Sequence, residues 1–596
     1  MNSQAFCTSI QSPASSYHNH SLLGLIGFTQ PHRVKSIREI SVDDQLIAET
    51  VALRTEGSSS LAQSSSHFWH VSVSGACGAL LGLCWLQLPG LMTATMAWSL
   101  WTLILLFATS GSARFSAAKW FTAGMAVRAV AFQWIPSVVA ENFDIAYPVA
   151  VVFFVVMIAF ESATWALLGV VAFYAFHKRT VSIWVIPSLV IAFDHFWPRV
   201  FPWTMAHMLV GSDTLSQTVD LGGTLGLTWL MTGVSCAIVM AVNRWHRRNS
   251  PASFSPQAER TRTDAAFAPT MFVLITAAVI YGAWSESRWK LGVRQLKEIH
   301  VAAVQVNSSF VRAEERLREL SLKLSPPPDL VIWPESSLGV YSDQLDNLAN
   351  EDDVYSLSRE PHCSLPGFAI PGTVLLACGV TFADGAAEDG PYRNTSLLID
   401  ERHAIIGTYT KRSLLPFGEY VPGQSLFPAL RHLANIDIIR ESGNHSRPMI
   451  TPSGLKIGGM VCYDDINPAH ARETVAEGAE LLTVQVNAAD YDNPVALRQH
   501  FLLARLRAIE NRRYFIRCAS TGITCIIAPW GEVLAECEPQ TEAVASGTIH
   551  PINERSVYNC LGAWPVYFSV LAIACGVPWR NRRMKITDGR GLSGPV

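Results

Sequence analysis

Charge is what this chain has little of. Of its 596 residues only 16% are Asp, Glu, Lys or Arg, against roughly a quarter in an ordinary soluble domain, which excludes a wholly water-exposed protein. The formal net charge of −3, with no basic stripe carrying interleaved aromatics, excludes a nucleic-acid partner. Metal-ligand spacing is missing too: the 12 cysteines are scattered, with no CxxC pair and no His/Cys cluster, so no metal is expected. Cys363, Cys378, Cys518, Cys525 and Cys537 could pair in an oxidising compartment, but buried small hydrophobes are the favoured reading. Residues 1–67 lack any sustained period, and also the short apolar core and small-residue cleavage site of a signal peptide. They read as a disordered extension or an over-long start.

What is present is apolar sequence in blocks. Hydrophobic residues make up 49% of the chain, and the mean hydropathy is +0.23. Blocks at 69–88, 91–110, 117–137, 148–176, 181–199, 222–243, 268–286 and 561–579 are each near the ~20 residues that a bilayer-spanning helix needs. Eight spans are therefore expected, the fourth long enough to be tilted or broken. Every second connection is basic: Arg114 and Lys119, then His177, Lys178 and Arg179, then Arg244, Arg247, Arg248, Arg260 and Arg262, and finally Arg580, Arg582, Arg583 and Lys585. The alternate connection at 138–147 carries Glu141 and Asp144 and no cation. The positive-inside rule then puts both termini in the cytoplasm and the stretch between spans seven and eight outside it.

That stretch, 287–560, has a different texture. Short apolar runs at 300–306, 329–333, 374–381, 456–461, 481–486, 513–518 and 523–528 read as buried strands, and 311–324 and 494–512 read as helices between them. Strands interleaved with helices imply a layered α/β domain. The expected layout is an extension (1–67), a seven-span membrane domain (68–286), a catalytic domain (287–560), an eighth span (561–579) and a cytoplasmic tail (580–596).

Three strand ends each deliver one reactive side chain. VIWPESSL places Glu335 after Pro334; YTKRSLLPFGEYVP places Lys411 and Glu419 around Pro416-Phe417-Gly418; IGGMVCYDD places Cys462 after two glycines that allow close backbone approach. Singly, each has a plain alternative: Glu335 as a helix cap, Lys411 as a surface charge, Cys462 as a core thiol. In order, Glu…Lys…Cys in these contexts resembles the carbon–nitrogen hydrolase (nitrilase) superfamily. The whole arrangement, with FPW at 201–203 and DLGGTLGLTWL at 220–230, resembles the bacterial apolipoprotein N-acyltransferase family over roughly 68–580.

The resemblance implies a polytopic α-helical membrane domain of about eight spans plus a nitrilase-like αββα sandwich. It implies an acyltransferase of the bacterial inner membrane, catalytic domain periplasmic, that needs no metal or organic cofactor. Cys462 would be acylated by the sn-1 chain of a phospholipid, phosphatidylethanolamine foremost. The α-amine of a diacylglyceryl-cysteine lipoprotein would then resolve the thioester. A free thiol, with a pKa near ~8.5, needs activation; Glu335 would act as the base and Lys411 would hold the thiolate and the oxyanion. Glu419, Tyr463, Asp464 and Asn487 would line the substrate site, Asp464 standing where the family usually has Glu. Two departures bear on the acceptor. Asn487-Ala488-Ala489-Asp490-Tyr491 lacks the family's Trp, and near the first strand Phe310 is the nearest aromatic to another missing Trp. A monomer is expected. The alternatives are a membrane-tethered amidase or nitrilase that uses water, and a degenerate, non-catalytic paralogue.

The loop charges make the topology testable without any motif. A reporter fused near Asp384 is expected to be active only outside the cytoplasm, and one fused after Lys585 only inside. Activity of both on one side would sink the eight-span reading.

Overall fold

The computed structural model describes residues 69–86, 90–109, 111–249, 262–307, 313–338, 370–382, 392–427, 440–489 and 493–577. The extension 1–67, the tail 580–596, Phe310, Cys363, Asp490 and Tyr491 lie outside them. The helical part opens with α1 (Trp69–Leu86) and α2 (Leu91–Phe107). It continues with α3 (Ala113–Ala131) and α4 (Ile135–Asn142). α5 (Tyr147–Phe173) follows and runs on through a π turn to Lys178. α6 (Val185–Phe196), α7 (Asp213–Ser216), α8 (Val219–Asn249) and α9 (Arg262–Gly292) complete it.

Among the described residues four helices are long and apolar enough to cross a membrane: Trp69–Leu86, Tyr147–Lys178, Val219–His246 and Asp264–Gln295. A fifth arises if α3 and α4, bent by 59°, count as one. Local chemistry explains the shorter pieces. Pro136 at the start of α4 cannot donate to the preceding turn, so the block expected as one span over 117–137 breaks at Phe132–Trp134. Pro198 disfavours helix at Trp197, whose ψ is 127°, and α6 stops at 12 residues. The basic connection expected between spans two and three is instead helical. Arg114 and Lys119 lie in α3, and the buried Lys119 Nζ donates to Phe107 O at 3.0 Å, closing the end of α2.

The α/β part contains two six-stranded sheets. The first has the order β12-β1-β2-β3-β4-β5 and the second β11-β10-β9-β8-β7-β6. The strands are β1 (Ile299–Gln305), β2 (Leu330–Ile332), β3 (Val374–Phe382), β4 (Tyr392–Ile399), β5 (Ile405–Thr410), β6 (Met449–Ile450), β7 (Lys456–Val461), β8 (Leu481–Val486), β9 (Phe515–Ala519), β10 (Thr524–Ile527), β11 (Val533–Cys537) and β12 (Ala543–Ile549). Their inner faces meet through Val301, Ile332, Leu376 and Leu398 on one side and Ile457, Leu481, Ile516 and Ile526 on the other. Helix α10 (Ala313–Leu322) covers the outer face of the first sheet, through Leu317 on Val331 and Leu375. Helices α11 (Pro468–Ala476) and α12 (Pro494–Asn511) cover the second. The order helix, sheet, sheet, helix is the αββα sandwich. Cys378, Cys518, Cys525 and Cys537 are free and buried, as small hydrophobes. α13 (Val557–Leu561) and α14 (Trp564–Gly576) end the described chain.

Because α12 is wedged between the second sheet and the helical part, almost all of it is buried, including Arg507 and Glu510. An alternation of apolar and charged residues that reads as an amphipathic helix therefore becomes a junction. Gln499 Nε2 donates to Ala131 O at 2.7 Å and its Oε1 accepts from Trp134 Nε1 at 2.9 Å, so it satisfies the backbone freed by the α3/α4 break. Arg512, fully buried, sends Nη2 to Asp220 Oδ2 at 2.6 Å and to Ser285 Oγ at 2.9 Å, and Nη1 to Gln217 Oε1 at 2.7 Å. Removing one partner of such a pair strands the other charge, at a cost of about 3–5 kcal/mol. Asp220→Ala is expected to destabilise the detergent-solubilised protein by that order in chemical unfolding. A loss below about 1 kcal/mol would mean that the contact is not formed.

Candidate active site

Glu335 enters the site one turn past β2. The chain after Ile332 is held by Trp333 N on Leu376 O at 2.9 Å and by Gln485 Nε2, reaching across from the second sheet, on Trp333 O at 2.8 Å. The carboxylate that follows is 6% exposed and both of its oxygens are occupied. Oε1 accepts from Asn394 Nδ2 at 2.8 Å and Oε2 from the Asn487 backbone N–H at 2.8 Å. Two donors on two oxygens hold the carboxylate in one orientation.

Lys411 is the first residue past β5, its N–H donating to Asn394 O at 2.8 Å. Its ammonium is 2.8 Å from Glu419 Oε1 and 3.6 Å from Glu335 Oε1. Burial alone would lower it, but Glu419, then Glu335, then Cys462 reverse this and hold it well above the ordinary lysine value. The Pro416-Phe417-Gly418 turn folds Glu419 back: Phe417 adopts φ +64° and the Glu419 N–H donates to Leu415 O at 2.8 Å. Burial pushes the Glu419 carboxyl up, against the pull of Lys411. With Lys411 and Arg440 at 2.8 and 2.6 Å from Oε1 and the Leu415 N–H at 2.8 Å from Oε2, the site is built for the carboxylate.

Cys462 follows β7 with φ +47°, a left-handed conformation that costs a non-glycine residue about 1–2 kcal/mol. Gly459 lets β7 approach this closely: a Cβ there would stand 2.9 Å from Met449 Cε and 3.1 Å from Tyr409 Cβ. Asp464 secures the turn. Its carboxylate, wholly buried, accepts from the backbone N–H of Val461 (3.1 Å), Arg412 (3.2 Å) and Ser413 (2.6 Å), and from the Tyr409 hydroxyl (2.9 Å). Burial and then Glu335 push the Cys462 thiol well above its ordinary value, while Lys411 opposes them. The resting sulfur is thus a thiol rather than a thiolate. Asp465 next door is matched by His500 Nε2 at 2.7 Å and by Arg517.

The structure brings Glu335, Lys411, Glu419 and Cys462 together. It assigns three of the expected substrate-lining residues other contacts. Asp464 is enclosed among donors of the protein and clamps the Lys411 and Cys462 segments to each other. Tyr463 donates its hydroxyl to Val200 O, tying the turn to the helical part. Asn487 holds Glu335 through its backbone, while its side chain accepts from Ser520 Oγ at 2.9 Å. Asn394 and Arg440 were invisible in the sequence. Asn394 sits in the unremarkable run YRNTSLLI and Arg440 in IDIIRESG, and no motif marks either. Among the described residues no group of three or more His, Cys, Asp or Glu could hold a metal.

Two family models match the chain: apolipoprotein N-acyltransferase N-terminal domain over residues 78–237 and carbon–nitrogen hydrolase over 292–557. The curated relatives share one description, apolipoprotein N-acyltransferase. The protein from Azotobacter vinelandii is 29% identical over 42% of this chain, and the match spans only 45% of that relative's length. The one from Pseudomonas putida is 26% identical over 66% of this chain and 72% of the relative. The one from Geobacter metallireducens is 26% identical over 83% and 93%.

The Asp464 clamp generates a substitution test. Asp464→Asn sets an NH2 group against a shell of donors and leaves at least one of them unpaired, worth about 1–3 kcal/mol. Asp464→Glu adds a methylene where there is no room, worth about 1–3 kcal/mol. Both are expected to lower unfolding stability and to slow alkylation of Cys462 together. Wild-type stability and alkylation in Asp464→Asn would remove the clamp from the account.

Proposed function

We propose that the chain is a member of the apolipoprotein N-acyltransferase family, whose N-terminal-domain model and the carbon–nitrogen hydrolase model it matches, and that it moves a fatty acyl chain from a phospholipid to the N-terminal amine of S-diacylglyceryl-cysteine lipoproteins. The observation that carries this reading is one buried cation between two carboxylates, beside a cysteine in a strained turn. Such a set can open an ester by thiol attack. In the first half-reaction Glu335 takes the Cys462 proton as sulfur adds to the sn-1 ester carbonyl, and Lys411 neutralises the oxyanion. Collapse breaks the C–O bond, Glu335 returns the proton to the leaving glyceryl oxygen, and a thioester remains. In the second, the acceptor amine attacks and gives its proton to Glu335. The C–S bond then breaks, and the sulfur recovers the proton.

Phosphatidylethanolamine is the donor this reading favours. The protein would act as a monomer in the bacterial inner membrane, with eight spans, a periplasmic catalytic domain and both termini in the cytoplasm. Both substrates are lipid-anchored, which gives the apolar helices a purpose: they keep the thiol at the lipid surface. A water-using amidase needs no such helices, and a non-catalytic paralogue needs no paired base and thiol.

Mass spectrometry of lipoproteins from cells with and without the gene separates the three readings. In purified protein, Cys462→Ala is expected to abolish a hydroxylamine-sensitive acyl adduct formed from labelled phospholipid. Glu335→Gln and Lys411→Ala should slow its formation by roughly 10²-fold or more, and Cys518→Ala and Cys525→Ala should leave it intact. Near-normal turnover in the Lys411 variant would mean that another group holds the oxyanion.

A further inference from the structure

The ion balance of the site is incomplete without a residue that no motif marks. Glu335 and Glu419 are each 6% exposed, and Lys411 is 3.6 and 2.8 Å from them. One cation for two buried carboxylates leaves an excess negative charge beside a thiol that must itself become an anion, and like charges in a poorly polarisable surrounding oppose that step. Arg440 supplies the missing charge. Its Nη1 lies 2.6 Å from Glu419 Oε1, the oxygen that Lys411 Nζ also contacts, and its side chain is 17% exposed. A β-bridge to Tyr392 at the start of β4 fixes its backbone. The neighbouring Glu441 is taken by Arg393 at 2.9 Å.

The other charges facing the sulfur have partners of their own. Asp465 has His500 and Arg517, and Asp464 has three backbone amides and the Tyr409 hydroxyl. Arg412 has Glu473 at 2.6 Å, and the Tyr463 hydroxyl has Val200 O. The second carboxylate therefore depends on Arg440.

We propose that Arg440 is a positioning residue of this site: by sharing Glu419 Oε1 with Lys411 it balances the buried charges and leaves the lysine's field to the sulfur and the oxyanion. It acts through Glu419 rather than touching the thiol. Its part in oxyanion stabilisation rests on the acyl-transfer reading; its part in thiol ionisation does not.

The test follows alkylation of Cys462 by iodoacetamide in the full-length, detergent-solubilised protein. The modified peptide is read by mass, because Cys560 and Cys575 are also exposed. At a fixed mildly alkaline pH, Arg440→Gln is expected to slow alkylation by about tenfold or more, the equivalent of one pKa unit, and to displace the pH–rate profile upward. Arg440→Lys should keep most of the wild-type rate. Arg440→Gln combined with Glu419→Gln removes a charge of each sign and should recover much of the loss. Wild-type alkylation in Arg440→Gln across the pH range would overturn the proposal, and so would a double variant no faster than the single one. Absence of an acyl adduct from phospholipid would count against the acyltransferase reading alone and leave these rates to stand.

Discussion

One buried carboxylate holds the catalytic geometry together. Asp464 accepts from both sides of the site: Arg412 and Ser413, which follow Lys411, and Val461, which precedes Cys462. The strain at Cys462, with φ +47°, persists only if its surroundings over-determine it, and this carboxylate supplies much of that determination. Among the described residues its basic neighbour is His470, 3.7 Å away, whose imidazole burial holds below its ordinary value. Three backbone amides and a phenol therefore carry the cost of burying the charge. The same donors fix the separation of lysine and cysteine, so stability and reactivity depend on one group.

The second constraint is the way the sandwich joins the helices. Helix α12 continues into one core with Met205 and Leu209 of the helical part. Polar groups that cross such a boundary need partners, and three of them find theirs across it. Gln499 takes the carbonyl freed by a broken helix, Arg512 is enclosed by Asp220, Gln217 and Ser285, and Tyr463 reaches Val200. Because Tyr463 follows Cys462 directly, its bond to Val200 O ties the cysteine turn to the helical part.

Much of this was legible in the sequence, and the reasons differ by element. β7 and β8 are buried on both faces and read as unbroken apolar runs. β5 and β11 alternate between half-exposed and exposed positions, and β4 opens on Tyr-Arg-Asn-Thr-Ser; none of the three stands out from a loop by periodicity. The triad was legible because turn-forming glycines and prolines punctuate it. The side-chain hydrogen bonds of Asp464 and Tyr463 were not legible, since all but Val461 of their partners lie 50 or more residues away in the chain. Helix lengths were misjudged where a proline stops an apolar block early, as at Pro136 and Pro198.

The departures around residues 487–491 are reconciled by the kind of contact made there. Glu335 Oε2 is held by the backbone N–H of residue 487, and Ala488 is wholly buried, its packing closed by Gly522, where a Cβ would lie 3.0 Å from Ala488 Cβ. A main-chain donor is indifferent to side-chain identity as long as the backbone keeps its course, and small residues at 488 and 522 keep it. The Glu335 carboxylate can thus keep this donor whatever side chain residue 487 carries.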